Sequence, residues 1–355
     1  MPKVLFGYPI EATSENWLHE SLVHMIATTH RNIDEGLQPM SWVKIIPAQH
    51  LEKLRRRRKL CALLDGYRIQ ASTLSPDERS MVYRTLKEQN NLVDLLAGRS
   101  ECKEYSDLPD AVQQPIKDLF EQAFSLLTDL GVRDRQYEII HSQLRVKICP
   151  FCGCEFFDAP GAKREALDHY LAESKYPFAA ANLNNLVPMG GKCNSRYKLA
   201  KNILYSANGD GRRAAFFPYN SPGLQVSLDR TRANSDDQNQ IFSEWDIMFA
   251  QACAEVETWD AVFAIRERYQ RDILNVEFND WLYEFASWAN VDMVSVGTDQ
   301  ELLQSITRYA QYLSDCGFRD RAFLKAAVFN LIYKLCAEGN KRIIFIMRTL
   351  VISIP

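Results

Sequence analysis

The sequence predicts a mainly helical α+β protein in which helical flanking regions surround a short central segment of strands and loops. Hydrophobic residues make up 46% and charged residues 25% of the 355 residues, a composition that is typical of folded globular proteins and excludes a disordered or fibrous chain. Apolar residues recur at helical spacing on both sides of the chain's centre. In the centre, Cys, Gly, Asn and Pro interrupt short apolar runs, which favours strands and loops.

This change of pattern divides the chain into three regions, namely 1–147, 148–213 and 214–355. In the first region, Glu15–Thr29 and Ala111–Leu130 place apolar side chains on one face of a predicted helix. The central region is expected to contain strands, loops and one short helix. The last region begins with two strand candidates, Leu224–Leu228 and Ser243–Phe249, and is predicted to be helical from Thr258 onward.

Neither a signal peptide nor a membrane span is predicted. The longest apolar stretch, Ile343–Ile354, is interrupted by Arg348 and falls short of the roughly 20 residues that a membrane helix needs, so a buried terminal helix or strand is expected. The nine cysteines are odd in number and mostly scattered, which suits a reducing compartment. We therefore expect a cytoplasmic protein without a membrane partner.

The charge balance restricts how this chain can bind nucleic acid. A net charge of -3 and a pI near 6.1 exclude a polycation, so binding would need a local basic surface. Residues 163–213 hold nine Lys or Arg against four Asp or Glu, a local charge of +5. The densest basic run, Lys53–Lys59, has two interpretations that stay open here: a solvated helix face or a phosphate-contacting surface.

Residues 149–202 hold most of the side chains with distinctive chemistry. Taken alone, the pair Cys149 and Cys152 is either half of a zinc site or two ordinary thiols. The Asp168-His169 pair and the amides of Asn185 and Asn194 are equally unspecific one by one. Together, however, one imidazole, one adjacent carboxylate and two amides fall within 27 positions, in a segment whose positive charge exceeds its negative charge.

In this order, the residues resemble the HNH endonuclease family, whose core is a ββα-metal finger of two strands and a helix around one divalent ion. Asp168-His169 match the end of the first strand, and Asn185 within Asn-Leu-Val-Pro matches the second strand. Asn194, after Cys193, matches the opening of the helix. The resemblance covers about 55 of the 355 residues. The wider chain also resembles bacterial HNH proteins of defence or restriction systems, such as the nuclease partner of a Septu-type or retron-type system.

The resemblance implies a metal-dependent endonuclease that hydrolyses phosphodiester bonds in DNA. His169 would act as the general base that takes a proton from water. Asp168 and Asn194 would offer oxygen ligands to Mg²⁺ or Mn²⁺, and the ion would stabilise the leaving 3′ oxygen. Asn185 would hold the imidazole in register through its side chain or its backbone.

Four basic residues are candidates for substrate binding. Lys198 lies four residues after Asn194, so we expect it to share that helix face and point toward the phosphate. Lys201 is expected to extend the row of basic side chains on the same helix face. Arg196 and Lys175 complete the set.

A structural zinc ion is a further expectation, since many members of the family brace the finger with two CxxC pairs. Cys149 and Cys152 match one pair and Cys193 matches half of the other, but Gly190 stands where the fourth cysteine is expected. Three thiolates leave a tetrahedral site incomplete. The fourth ligand could be Cys154 or His141, or apolar packing could replace the zinc.

The alternative to a nuclease is a non-catalytic nucleic-acid-binding or scaffolding module in which the finger is structural. The large flanking regions predict that the protein works in a complex and is an effector in prokaryotic defence. The sequence has no GxxxxGK[ST] loop, so nucleotide sensing would come from a protein partner such as an ATPase or sensor subunit.

Overall fold

The computed structural model describes residues 3–162, 167–206, 211–234, 240–292 and 295–353. Within them the chain is α+β, mostly helical, with three small two-stranded antiparallel sheets, which confirms the predicted mainly helical α+β class. The chain divides into two compact units. The larger comprises Gly7–Cys149 and Phe156–Ser221, and the smaller comprises Met1–Phe6, Pro150–Glu155 and Pro222–Pro355.

The strands are short and lie in three pairs. In chain order they are β1 Val4–Phe6, β2 Leu167–His169, β3 Leu186–Pro188, β4 Pro222–Leu224, β5 Val226–Ser227 and β6 Met248–Phe249. β1 pairs with β4, β2 with β3, and β5 with β6.

The helices of the larger unit are α1 Trp17–Asp34, α2 Trp42–Ile45, α3 Leu51–Leu54, α4 Arg58–Ala71, α5 Pro76–Asn90, α6 Leu92–Leu96, α7 Asp110–Asp129 and α8 Val132–Gln143. Those of the smaller unit are α9 Ala254–Phe263, α10 Ile265–Arg268, α11 Asn275–Val291, α12 Asp299–Cys316, α13 Ala322–Ala337 and α14 Lys341–Ser353. Two π-helical segments are Cys193–Lys198 and Tyr269–Leu274.

Local sequence signals explain where several helices begin and which face they bury. α5 starts with a capping box in which Ser75 and Glu78 bond each other's backbone N–H groups, satisfying donors that the first turn cannot. The predicted helices over 15–29 and 111–130 correspond to α1 and α7. α1 continues to Asp34, past the apolar pattern that predicted it.

The basic run at Lys53–Lys59 lies where α3 ends and α4 begins. Its charged side chains are exposed or half-buried, whereas Leu54 is buried between them. A solvated surface is therefore present, and its contact with phosphate stays a prediction.

The core of the larger unit includes part of the central segment. Buried side chains of α1, α4, α5 and α7 pack with Leu167, Leu183 and Leu186 in one hydrophobic cluster. The ring of Phe178 meets Phe120 of α7 edge to face, with centroids 5.3 Å apart. Because β2 and β3 pack into this core, the side chains at the strand ends are held in fixed positions.

The smaller unit forms its own helical core with two strand pairs. The strand candidate over 224–228 contains the last residue of β4, Leu224, and all of β5, and the candidate over 243–249 contains only β6. β5 and β6 pair with Val226 opposite Phe249. Trp281 of α11 is buried, and α14 shows the terminal apolar stretch to be a helix over the described residues. No helix in the described part of the chain is both long and apolar enough to cross a bilayer.

Candidate functional site

The site is built on the antiparallel pair of β2 and β3 in the larger unit. β2 ends at His169, as predicted, and His169 lies opposite Leu186. Asn185 was expected within the second strand, but it lies directly before β3 in the 3-10 turn Leu183–Asn185. The prediction of its place was wrong because its backbone N–H closes a turn onto the carbonyl of Asn182.

Asn185 is fully buried and fastens the loop that follows β2. Its Oδ1 accepts a hydrogen bond from the N–H of Leu171 at 2.7 Å, and its Nδ2 donates to the carbonyls of Leu171 and Ala179 at 3.1 and 3.2 Å. Ala179 directly precedes Ala180, whose carbonyl contacts the imidazole of His169. Asn185 thus acts on His169 through the backbone of this loop.

The same loop is tied to two helices by amide side chains. Nδ2 of Asn182 donates to Oδ1 of Asn90 in α5 at 2.9 Å, and Asn16, at the start of α1, donates to Oδ1 of Asn182 at 3.0 Å. Gln89 accepts from the N–H of Phe178 at 3.1 Å. These bonds fix the position of the loop between β2 and β3.

His169 is held as a neutral imidazole with a defined orientation. It is 7% exposed, its ring lies 4.4 Å from the ring of Phe124, and Nε2 lies 2.9 Å from the carbonyl oxygen of Ala180. A carbonyl only accepts, so Nε2 carries the hydrogen and Nδ1 carries the lone pair. Burial lowers the pKa of His169 to about 4, although Ala180 and the charge of Asp168 act in the opposite direction.

Glu173, which no sequence motif marks as a site residue, faces the other side of this ring. Its Oε2 lies 3.7 Å from Nδ1 of His169. Burial and then the charge of Glu121 raise the pKa of Glu173 to about 7, while Lys117 opposes the shift. The available signal was its place four residues after His169, but that spacing alone does not show that the loop turns it toward the ring.

Asp168 forms an ion pair with Lys198 from the π-helical segment. Nζ of Lys198 donates to Oδ2 of Asp168 at 3.2 Å, and Lys198 is 1% exposed. Burial lowers the pKa of Lys198, and the adjacent carboxylate opposes that shift. The expectation that Lys198 points toward a phosphate is therefore wrong: a buried ammonium needs a counter-charge, and Asp168 supplies it.

The other predicted substrate-binding residues differ in exposure and position. The helical segment ends at Lys198, and Leu199 has φ 48°, so Lys201 lies beyond the helix and the predicted row of basic side chains on the helix face is wrong. Arg196 and Lys201 are exposed. Lys175 is paired with Glu104 at 2.8 Å.

Asn194 is the second residue of the π-helical segment and is half-buried. Its N–H donates to the carbonyl of Gly190 at 2.9 Å, and its carbonyl accepts from Leu199 at 3.0 Å. Amide and carboxylate oxygens are the donors that Mg²⁺ and Mn²⁺ prefer. The ion pair with Lys198 uses Oδ2 of Asp168 and leaves Oδ1 to bind a metal ion. The side chains of Asp168 and Asn194 therefore have the oxygen chemistry that Mg²⁺ or Mn²⁺ requires.

The predicted thiolate ligands are all buried. Cys149 and Cys193 lie in the larger unit with their sulfur atoms within 4.8 Å of each other. Two sulfurs on one tetrahedral zinc, each about 2.3 Å from the metal, lie roughly 3.8 Å apart, and the 4.8 Å limit for this pair is compatible with that separation. Cys152, at the CxxC spacing from Cys149, belongs to the segment Pro150–Glu155 of the smaller unit.

The candidates for a fourth zinc ligand have other contacts. The thiol of Cys154 donates to the backbone carbonyl of Cys152 at 3.1 Å. A hydrogen bond with the Cys152 side chain, together with burial, raises the pKa of Cys154. His141 lies on α8 beside the ring of Tyr137, with centroids 5.9 Å apart. Neither contact identifies a fourth ligand.

The larger unit thus brings a neutral imidazole, a carboxylate paired with an ammonium, and a buried amide to one strand pair. Such a set can accept a proton and bind a hard cation. Four of the residues that contribute to the local charge of +5 lie outside the described residues, namely Lys163, Arg164, Glu165 and Asp210.

In comparisons with known proteins, no family model, no curated protein and no solved structure matches this chain significantly.

Proposed function

We propose that this protein is a metal-dependent endonuclease of the HNH type that hydrolyses phosphodiester bonds in DNA. The observation that supports it best is the state of His169. Its Nε2–H is bonded to the carbonyl of Ala180, so the unprotonated Nδ1 is free to act as a base next to the carboxylate-bearing Asp168. A general base needs such a nitrogen in a fixed orientation.

The proposed roles follow from these positions. Nδ1 of His169 takes a proton from the attacking water, and Asn185 keeps the ring oriented through the loop that carries Ala180. Asp168 and Asn194 would hold Mg²⁺ or Mn²⁺, which when bound acts as a Lewis acid for the leaving 3′ oxygen. The exposed side chains of Arg196 and Lys201 are the candidates for phosphate contacts.

Two observations favour the alternative, a non-catalytic nucleic-acid-binding or scaffolding module. His169 is almost fully buried, and Lys198 holds one of the carboxylate oxygens that would bind the ion. In a purely structural finger, a buried histidine and a buried ion pair would stabilise the fold without contacting substrate.

Supercoiled plasmid distinguishes the two functions. With Mg²⁺ or Mn²⁺ the protein is expected to convert the plasmid to nicked or linear forms, and excess EDTA is expected to abolish the conversion because the leaving oxygen loses its Lewis acid. The products are separated on an agarose gel, and binding is measured in parallel by gel shift. Binding without cutting in either metal would contradict the nuclease and support the module.

We also propose a structural zinc ion whose ligands in the larger unit are Cys149 and Cys193. The proposal is supported by the proximity of the Cys149 and Cys193 sulfur atoms and by the burial of both side chains. Thiolates are preferred zinc ligands, and a closed structural site has four ligands, so further ligands would complete this one. The zinc would brace the segment that carries Asn194.

Cys193→Ser is expected to remove the zinc and destabilise the protein. Wild-type protein should contain about one zinc per chain by atomic emission, and the variant close to none. With free zinc at roughly a thousand times its Kd, the lost stabilisation is about 4 kcal/mol in urea unfolding. Cys336→Ser, at a buried cysteine of α13, is the matched control and should keep the zinc. Wild-type protein that is free of zinc and as stable as Cys193→Ser would contradict this site.

An effector role in prokaryotic defence and a partner such as an ATPase or sensor subunit belong to this proposal through the family resemblance. The extent of the helical regions outside the strand pair supports the proposal of a protein partner.

A further inference from the structure

The lone-pair side of His169 faces a second potential proton acceptor. Oε2 of Glu173 lies 3.7 Å from Nδ1, which is too long for a direct hydrogen bond. The separation does suit a shared water molecule: an oxygen about 2.8 Å from both atoms would donate one hydrogen to each. Nδ1 and Oε2 are therefore spaced to hold the same water.

The other carboxyl oxygen of Glu173 is buried and lacks a hydrogen-bond partner among the described residues. The nearby charged groups are Glu121 and Lys117 from α7 and Asp168 from β2, and burial together with the two carboxylates raises the pKa of Glu173 to about 7. A buried polar atom without a partner destabilises a fold. Acids in such surroundings are concentrated at functional sites.

Glu173 does not hold the loop in which it lies. The loop between β2 and β3 is fixed by Asn185, Asn182 and Gln89, whereas the Glu173 side chain contacts His169. A structural role would need bonds that this carboxyl group does not make within the described chain.

We propose that Glu173 is a further catalytic residue, which holds the attacking water together with Nδ1 of His169. The inference rests on the proposed nuclease function. In the step, the water oxygen bonds to phosphorus while one of its protons passes to Nδ1. The P–O3′ bond breaks, and the 3′ oxygen leaves with the bonding electron pair and takes a proton from solvent. The second proton of the water stays on the new phosphate oxygen and points to Glu173.

Glu173→Ala is expected to lower kcat for plasmid cutting about 10-fold to 100-fold, because one of the two groups that orient the water is lost. KM for plasmid should stay within twofold, and the melting temperature should not fall. Glu173→Gln should lose less, because its amide oxygen still accepts a hydrogen bond. The matched control is Glu121→Gln, a neighbouring carboxyl group on α7, which should cut within twofold of wild type.

The double variant His169→Ala with Glu173→Ala separates this role from a general effect on the fold. Because both residues hold one water, the double variant should cut no more slowly than His169→Ala alone. Full activity of Glu173→Ala beside an inactive His169→Ala would overturn the role of Glu173 and leave the nuclease standing. Wild-type protein that cuts no plasmid overturns both proposals, and a fall in melting temperature that accounts for the lost rate overturns the catalytic role.

Discussion

Replacing His169 by Gln is expected to reduce plasmid cutting by about 10²-fold to 10⁴-fold, the usual contribution of a general base. The variant keeps an N–H donor for the carbonyl of Ala180 and removes the lone pair of Nδ1. The hydrogen bond that orients the ring is therefore replaced, while the proton acceptor is lost. The rate is measured under single turnover with Mg²⁺ or Mn²⁺, and plasmid affinity by gel shift should be unchanged.

His30→Gln is the matched control for this prediction. His30 is a buried histidine of the same unit, its Nε2 lies 2.6 Å from the hydroxyl oxygen of Tyr67, and burial lowers its pKa to about 4. The control should lose stability and still cut within a few-fold of wild type. If His169→Gln cuts as fast as wild type, another group is the base.

Asp168→Ala is expected to abolish cutting and also to lower the free energy of unfolding by about 3 kcal/mol. The catalytic loss follows from removing a proposed ligand of the ion. The stability loss follows because the ammonium of Lys198, 1% exposed, would keep its burial and lose its counter-charge; removing one partner of a buried ion pair costs about 3–5 kcal/mol. We take the low end because the Asp168 side chain is 28% exposed. Urea unfolding measures this difference.

Lys198→Met tests the same pair from the other side. Methionine has a similar volume and no charge to bury, so stability should change by less than about 1.5 kcal/mol. Plasmid affinity should stay unchanged, since a buried ammonium does not reach a phosphate. Combining Lys198→Met with Asp168→Ala should restore stability without restoring cutting. A large loss of plasmid affinity in Lys198→Met would return Lys198 to the substrate-binding surface.

The helical parts of the fold were predictable because their signals are local. The apolar spacing over 111–130 corresponds to α7, and the apolar stretch from Ile343 corresponds to α14. The strand candidates were less accurate. Pairing of β4 with β1 joins residues more than two hundred positions apart, and such pairing depends on long-range packing that no local pattern encodes.

The positions of the site residues were likewise predictable only where the signal in the sequence is local. The short motif was enough to predict that β2 ends at His169. It did not predict that Lys198 is buried against Asp168, because the spacing of a helix places a side chain on a face but does not say what covers that face. Glu173 was missed for a related reason: its relation to Nδ1 depends on how the loop after β2 turns.

The amino-acid sequence by itself therefore determined the mainly helical α+β class and the clustering of an imidazole, a carboxylate and two amides in one short segment, because helix periodicity and the spacing of such side chains are local properties of the chain. Only the tertiary structure decided the tautomer of His169, the pairing of Asp168 with Lys198 and the position of Glu173. Each of these depends on which groups from distant parts of the chain exclude water from a side chain and which remain within hydrogen-bonding distance of it.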